Sequence, residues 1–276
     1  MMDTLREANP GHEFIVKTIK TTGDTVWDKP LAQIGGKGLF VKEIEEELVR
    51  GSIDIAVHSM KDLPAELAEG LAIGAVMVRE DPRDAFVSTR HRSIRDLQSG
   101  CRVGTGSLRR KAQLQRYRAG VEVIPLRGNV DTRIRKITTE NLDGVILAAA
   151  GIRRLGLEAV ITEIIPADIM VPTAGQGAIA IEVRAGGEAA LLVGTINHER
   201  TYREVAIERA VQAQVGGGCS VPLGIHVRIE EGHVDLSLSL GNEDGVILVH
   251  EKLSEKAGRE QLLIDKASGI LLRHFR

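Results

Sequence analysis

Residues 102–150 read RVGTGSLRRKAQLQRYRAGVEVIPLRGNVDTRIRKITTENLDGVILAAA, and this stretch indicates the fold class. Three apolar runs in it predict strands, at 102–104, 121–126 and 143–150. Two segments between them predict helices, at 107–118 and 130–138. Short apolar runs that alternate with helical segments are typical of strand–helix units in a parallel sheet. The stretch therefore predicts an α/β protein.

The residues before this stretch repeat the alternation. Predicted strands lie at 13–19, 53–57 and 71–78, and a predicted amphipathic helix lies at 41–50. Gly51 follows that helix as a C-cap glycine would. The charged segment 79–83, which contains Pro82, marks a boundary between two α/β regions of this parallel-sheet type.

The C-terminal part has a different pattern. A further apolar strand is predicted at 178–183, although the sequence does not indicate which sheet it joins. After a predicted helix at 201–214, apolar residues alternate with period two in three runs, at 225–229, 234–240 and 246–249. Glycine-containing turns separate these runs, so they predict an antiparallel meander, and a final helix is predicted at about 256–274.

Composition limits the functional classes. The 276 residues carry a formal net charge of −2 and only 3% aromatics, which argues against nucleic acid as a partner. There is no run of about 18 apolar residues, so we expect no membrane segment and a reduced, cytosolic environment. The eight histidines show no metal spacing, and Cys101 is expected to pack in the interior. The glycine segments match neither a P-loop nor a dinucleotide fingerprint.

Positive charge is concentrated between residues 102 and 136. This segment contains only two acidic residues, Glu122 and Asp131, but ten basic ones. The basic residues are Arg102, Arg109, Arg110, Lys111, Arg116, Arg118, Arg127, Arg133, Arg135 and Lys136. Such a run is either a solvated helix face or an anion site. Several of these arginines follow predicted strands, where open α/β sheets bind ligands, and this placement favours a site for a ligand with several acidic groups.

Two further segments are candidate sites. Asp62 comes five residues after a predicted strand, where it is either a surface salt-bridge residue or a carboxylate that transfers protons and stabilises positive charge. His58 is expected to be a hydrogen-bonded loop histidine. Cys219 follows three glycines, and this loop is either an ordinary turn or the presentation of a thiol for covalent chemistry.

The motifs together resemble the porphobilinogen deaminase (hydroxymethylbilane synthase) family, in order along nearly the whole chain. They are GGKGLFVKE (35–43), HSMKDLP (58–64), DPRDAF (81–86), GTGSLRR (104–110), LRGNV (126–130), AGIRRLG (150–156), GQG (175–177) and GGGCSVP (216–222). The resemblance implies two α/β lobes like those of periplasmic binding proteins, with the active site in the cleft between them, and a small α+β C-terminal domain with a three-stranded antiparallel sheet. The implied domains are 1–80 with 175–197, then 81–174, then 198–276, and strand 178–183 would return to the first of them.

The resemblance also implies the reaction. Four porphobilinogen molecules are condensed head to tail with loss of ammonia, and water then releases hydroxymethylbilane for tetrapyrrole (porphyrin and haem) biosynthesis. The growing polypyrrole chain is built on a dipyrromethane cofactor, which a thioether would attach to Cys219. We expect a cytoplasmic monomer. The alternative is a non-catalytic, two-lobed protein that binds an organic anion, which would leave Cys219 and Asp62 without a role.

Residue roles follow from the same resemblance. Asp62 would be the catalytic carboxylate, which stabilises the methylene-pyrrolenine cation and accepts a proton, and Lys37 and Phe40 would belong to a lid over the site. Cofactor and substrate carboxylates would be bound by Ser59, Lys61, Thr105, Ser107, Arg109, Arg110, Arg127, Arg133, Arg154 and Gln176. No metal is expected.

Two departures from the family pattern stand out. The first strand and most of the first helix, with a Gly-Thr-Arg-x-Ser-type motif, have no counterpart here, and residues 1–11 resemble only the end of that helix. We therefore expect a truncated chain or a misassigned start, and a chain of this length to fold poorly and to be weakly active or inactive. Gly106 replaces a serine that is common in the family, so one hydroxyl contact to the cofactor is expected to be missing.

Overall fold

The computed structural model describes residues 1–21, 41–216, 221–242 and 244–274. They form two compact units. Unit 1 comprises Met1–Arg79 and Ala178–Ala206, and unit 2 comprises Glu80–Gly177 and Ile207–Arg276. The division into three domains stays a prediction.

The helices and strands are numbered in chain order over the described residues. The helices are α1 (Met2–Ala8), α2 (Lys42–Val49), α3 (Leu108–Tyr117), α4 (Val130–Thr139), α5 (Ala149–Arg154), α6 (Glu188–Gly194), α7 (Glu199–Val215) and α8 (Glu260–Leu272). The strands are β1 (Ile55–Ser59), β2 (Leu71–Val76), β3 (Asp84–Val87), β4 (Arg102–Gly104), β5 (Glu122–Ile124), β6 (Gly144–Ala148), β7 (Glu163–Ile164), β8 (Ile179–Arg184), β9 (Leu223–Glu230), β10 (His233–Gly241) and β11 (Ile247–Lys256). Short 3₁₀ turns lie at Met60–Asp62, Ile94–Asp96 and Glu158–Val160.

Unit 1 contains a three-stranded sheet in the order β1-β8-β2. The prediction of parallel neighbours was wrong here, because β8 returns from later in the chain and pairs antiparallel with both β1 and β2. Strand β8 thus joins the first α/β region, as the family resemblance implies.

The predicted strand at 13–19 was also wrong. These residues form no strand, and Ile15 and Val16 are 85% and 69% exposed. A strand requires hydrogen bonds to a neighbouring strand, and no described strand pairs with this segment. Alternation of apolar and polar residues alone was therefore not enough to predict a strand.

Unit 2 contains a mixed five-stranded sheet in the order β5-β4-β6-β3-β7. Strand β4 is parallel to β5 and β6, whereas β3 is antiparallel to β6. The carboxyl ends of β4, β5 and β6 consequently share one edge with the first residue of β3, Asp84. We call this the arginine edge, and we call the other end of these strands the opposite edge.

The C-terminal part of unit 2 confirms the predicted meander. Strands β11, β10 and β9 form an antiparallel sheet in that order. Buried residues of the sheet, such as Leu236, pack with Val211 of α7 and Leu263 of α8. None of the described helices is both long enough and apolar enough to cross a membrane.

Candidate functional site

Three helices of unit 2 begin at the arginine edge, where strands β4, β5 and β6 end. Ser107 caps α3, since its Oγ accepts a hydrogen bond from the backbone N–H of Arg110 at 3.4 Å. Thr105 Oγ1 accepts one from the Ser107 N–H at 3.3 Å. Free N–H groups at helix starts carry partial positive charge, so this edge favours anions before any side chain is considered.

Two predicted ligand-binding arginines are buried at this edge with a carboxylate. Asp84 is fully buried, and its Oδ2 lies 2.8 Å from Nη1 of Arg109. Its Oδ1 accepts hydrogen bonds from Nε of Arg110 at 2.9 Å and from the Gln176 side-chain amide at 3.0 Å. Arg109 also donates to the carbonyl of Val171 at 2.7 Å. Because β3 is antiparallel to its neighbours, its first residue, Asp84, reaches the guanidinium groups of α3.

The charges of this cluster are coupled. Burial by itself would raise the pKa of Asp84, but Arg109 and Arg110 outweigh burial and hold the pKa at about 2. Burial lowers the pKa of Arg110, and Asp84 opposes that shift. Asp84 is therefore ionised at neutral pH. The two guanidinium groups face one buried carboxylate, so the cluster keeps a single positive charge.

Arg127 and Arg133 form a second pair, which has no counter-ion among the residues that the structure describes. Nε of Arg133 donates to the carbonyl of Gly128 at 2.7 Å. Burial lowers the pKa of Arg133, and the positive charge of Arg127 lowers it further. Among the described residues, no carboxylate forms an ion pair with either, whereas Arg135 on the same helix pairs with Asp131 at 3.0 Å. Two adjacent, partly buried cations with no carboxylate partner in the described part of the chain are suited to binding an external anion.

Arg154 and Gln176 already make hydrogen bonds within the protein. Arg154 donates from Nη2 to the carbonyl of Gly177 at 2.7 Å, and burial lowers its pKa. The Gln176 side chain donates to the carbonyl of Pro82 at 2.6 Å, and its carbonyl accepts from Arg110 at 3.3 Å. In this structure Gln176 thus supports the Asp84 cluster.

Unit 1 positions Asp62 on a short turn after β1. The flanking side chains of Met60 and Leu63 are buried in one apolar cluster, and the Met60 N–H donates to the carbonyl of Ala178 at 3.0 Å. The Met60–Asp62 turn is therefore fixed on its buried side. Asp62 between these anchors is exposed, and no described residue forms an ion pair with it. An exposed carboxylate on a fixed turn can meet a ligand directly.

The neighbours of Asp62 are placed differently. Ser59 is the last residue of β1 and pairs with Ile179, and Lys61 lies in the turn itself. The prediction of His58 as a loop residue was wrong. His58 lies within β1, buried, with Nε2 3.0 Å from a carboxylate oxygen of Glu182.

Three predicted functional residues, Lys37, Phe40 and Cys219, lie outside the described residues. The residue that sequence reasoning missed is Asp84. A signal was present, since a carboxylate opens an otherwise apolar strand in a region that carries many arginines.

Family comparisons agree over nearly the whole chain. Residues 1–191 match the model described as "Porphobilinogen deaminase, dipyromethane cofactor binding domain", and residues 202–269 match "Porphobilinogen deaminase, C-terminal domain". The porphobilinogen deaminase of Syntrophus aciditrophicus is 53% identical over 276 residues, which cover 96% of this chain and 90% of that protein. That of Geobacter sulfurreducens is 46% identical over 277 residues, with 97% and 87% covered.

Solved structures show only a distant likeness. A nutrient-binding protein from Burkholderia cenocepacia bound to methionine superposes with a TM-score of 0.42 at 10% identity, and covers 78% of this chain and 92% of its own. The methionine-binding protein MetQ gives a TM-score of 0.39 at 14% identity, with 57% and 75% covered. The assignment depends instead on the two family matches and the relatives, which show that the chain belongs to the porphobilinogen deaminase family of transferases.

Proposed function

We propose that this chain joins four porphobilinogen molecules head to tail and releases hydroxymethylbilane, with Asp62 and the arginine edge as its working parts. The observation that carries the proposal is the Arg127–Arg133 pair, two adjacent guanidinium groups with no carboxylate partner among the described residues. In this family each pyrrole bears two carboxylates, an acetate and a propionate. The pair offers the charge and the bidentate geometry that such groups need.

The donor set fits the dipyrromethane cofactor of the family. Arg127, Arg133 and the half-engaged Arg154 present guanidinium groups, and the Ser107 hydroxyl, which accepts a backbone hydrogen bond, keeps its own proton to donate. When bound, the dipyrromethane supplies the pyrrole to which the first substrate is joined. We place its attachment at Cys219, because three glycines before this thiol remove side chains from its approach.

The remaining binding residues have supporting roles in this proposal. Arg109 and Arg110 contribute one net positive charge after pairing with Asp84, so they attract carboxylates at longer range and shape the start of α3. Thr105 supports the turn that leads into α3, and Gln176 supports the Asp84 cluster. Ser59 and Lys61 flank the Asp62 turn, and Lys37 and Phe40 form a lid segment.

Asp62 carries out the proton chemistry. In each condensation the aminomethyl carbon–nitrogen bond of the substrate breaks, ammonia leaves, and a carbon–carbon bond forms to a pyrrole carbon that loses its proton. A carboxylate stabilises the positive charge that develops on the substrate and accepts the proton. Asp62 is suited to both steps because its turn is anchored by Met60 and Leu63 and its carboxylate faces outward.

Intact mass and turnover test the proposal together. The purified chain should exceed its polypeptide mass by two linked pyrrole units, and Cys219→Ser should abolish this excess. Asp62→Asn should keep the excess and lose most turnover, while Glu66→Gln, an exposed neighbour, should keep both. A bare polypeptide mass in the soluble parent protein would instead support the anion-binding alternative. Near-normal turnover of Asp62→Asn would remove that residue from the mechanism.

We extend the proposal to a cytoplasmic monomer without nucleic-acid or membrane partners. Its support is the net charge of −2, the 3% aromatic content and the lack of a long apolar run. Light scattering of the active protein should give the mass of one 29.9 kDa chain. A stable dimer mass at assay concentrations would contradict the monomer.

A further inference from the structure

Three possible metal ligands meet at the opposite edge of the unit 2 sheet. His91 follows β3, Cys101 immediately precedes β4, and Asp143 immediately precedes β6. These strands are neighbours, in the order β4-β6-β3, and β3 ends where β4 and β6 begin. The topology therefore brings together three residues that are up to 52 positions apart in the sequence.

The ligand atoms lie close to the spacing that a tetrahedral ion requires. Cys101 Sγ lies 3.9 Å from His91 Nε2, which lies 3.6 Å from Asp143 Oδ1, and all three atoms lie within 4.8 Å of one another. With Zn–S of about 2.3 Å and Zn–N or Zn–O of about 2.0–2.1 Å, a tetrahedron separates such atoms by about 3.5 Å. The two distances from His91 Nε2 exceed this value by a few tenths of an ångström, and the Cys101–Asp143 pair lies within 4.8 Å, so the side chains must move closer when the ion binds.

Hydrogen bonds to the backbone already orient two of the three side chains. Asp143 Oδ2 accepts from the backbone N–H of Arg102 at 2.7 Å, which leaves Oδ1 directed to His91. Cys101 Sγ accepts from the Gln98 N–H at 3.3 Å. Such outer contacts are what fix metal ligands in proteins.

The charge balance suits a divalent ion. A thiolate and a carboxylate neutralise two positive charges, and the imidazole binds in its neutral form. Arg90 donates to Asp143 Oδ1 at 3.1 Å, but this oxygen keeps a second lone pair for a metal.

We propose that His91, Cys101 and Asp143 bind a zinc-class divalent ion, with water as the fourth ligand. Binding releases the thiol proton to solvent and joins the ends of β3, β4 and β6. The five residues of β6 separate this site from the arginine edge by about 13 Å, so the ion stabilises unit 2 and takes no part in the condensation. The inference is independent of the proposed function.

Cobalt(II) titration of the untagged holoenzyme tests the site. Cys101 and Cys219 are the only cysteines of the chain, so a thiolate-to-cobalt absorption band in Cys219→Ser as well as in the parent protein assigns the thiol to Cys101. Cys101→Ser should abolish the band. Asp143→Asn keeps an acceptor for the Arg102 N–H and should weaken cobalt binding by more than about tenfold. His233→Gln, at an exposed hairpin position, is the matched control and should leave the band intact.

Zinc(II) provides a second readout. At a hundredfold excess over its Kd it should raise the Tm of the parent protein by about 5–10 °C, with no rise in Cys101→Ser and no change in turnover. No band in the parent protein would overturn the proposal, as would a band that survives Cys101→Ser. A Tm rise that persists in Cys101→Ser would overturn it as well.

Discussion

Asp84→Asn is the most informative single change, because one fully buried carboxylate holds two guanidinium groups at the arginine edge. Asparagine preserves the shape of the side chain and an oxygen that can accept from Arg110. The negative charge is lost, and Arg109 and Arg110 are left buried beside one another. Like charges in that position repel each other without a counter-ion.

The size of the effect follows from the Asp84 pKa. Moving it from 3.8 to about 2 contributes about 2 kcal/mol of folding stability at neutral pH, since each pKa unit corresponds to about 1.4 kcal/mol. Breaking a buried ion pair by removing one partner costs about 3–5 kcal/mol. We therefore expect Asp84→Asn to lower the free energy of unfolding of unit 2 by about 2–5 kcal/mol.

The dependence on pH has a definite sign. The folded pKa is depressed, so the contribution of Asp84 is fully present above the unfolded value of 3.8 and is lost as pH falls towards about 2. The difference between parent and variant should thus be constant from pH 7 to about pH 5 and should shrink below about pH 4.

Native-state hydrogen exchange is the suitable assay, since it reports opening free energies for peptides from β3 and β6 separately. Asp131→Asn is the control, because its pair with Arg135 is exposed and is worth about 0.3–0.5 kcal/mol. An Asp84→Asn effect no larger than this control would refute the reasoning. So would a difference that stays the same down to pH 3.

Other predictions concern binding and packing. Arg133→Met should raise KM for porphobilinogen at least about tenfold in steady-state assays, whereas Arg135→Met should leave it within about twofold; equal effects would contradict the anion site. Gly106→Ala should destabilise unit 2 by about 1–3 kcal/mol in urea unfolding, since its Cβ would lie 2.5 Å from the Leu126 carbonyl oxygen. Unchanged stability would show that this loop can shift. Glu208→Gln should cost about 1.5–3 kcal/mol by the same measurement, because its buried carboxylate accepts backbone hydrogen bonds at 2.7 and 2.8 Å; a loss below 0.5 kcal/mol would contradict that role.

Local patterns predicted most elements of unit 2. Helix α3 begins after Ser107 and β4 spans Arg102–Gly104, as expected from the residue pattern. Strand pairing was harder to predict. The partner of β1 is β8, which lies more than 100 residues later in the chain, and nothing in the local alternation of apolar residues encodes that contact.

The candidate site was likewise predictable only where local sequence carries the signal. The arginines were visible as a concentration of charge, but Asp84 was not, because its role depends on the antiparallel direction of β3. Cys101 was expected to be a packing residue, and the histidines showed no metal spacing. Only the folded sheet brings Cys101 within 3.9 Å of His91.

The central position of β8 in unit 1 also determines an order of events during synthesis. Strands β1 and β2 flank β8 and have no direct pairing with each other, so neither can complete its ladder until β8 has been made. About 100 residues separate β2 from β8, and at about 5–20 residues per second the ribosome needs about 5–20 s to add them. During that time every strand of the five-stranded sheet in unit 2 is synthesised. Unit 1 thus begins first along the chain, but its sheet is completed after the five-stranded sheet of unit 2 has been synthesised. Strands β1 and β2 must remain soluble until β8 is available to pair with them.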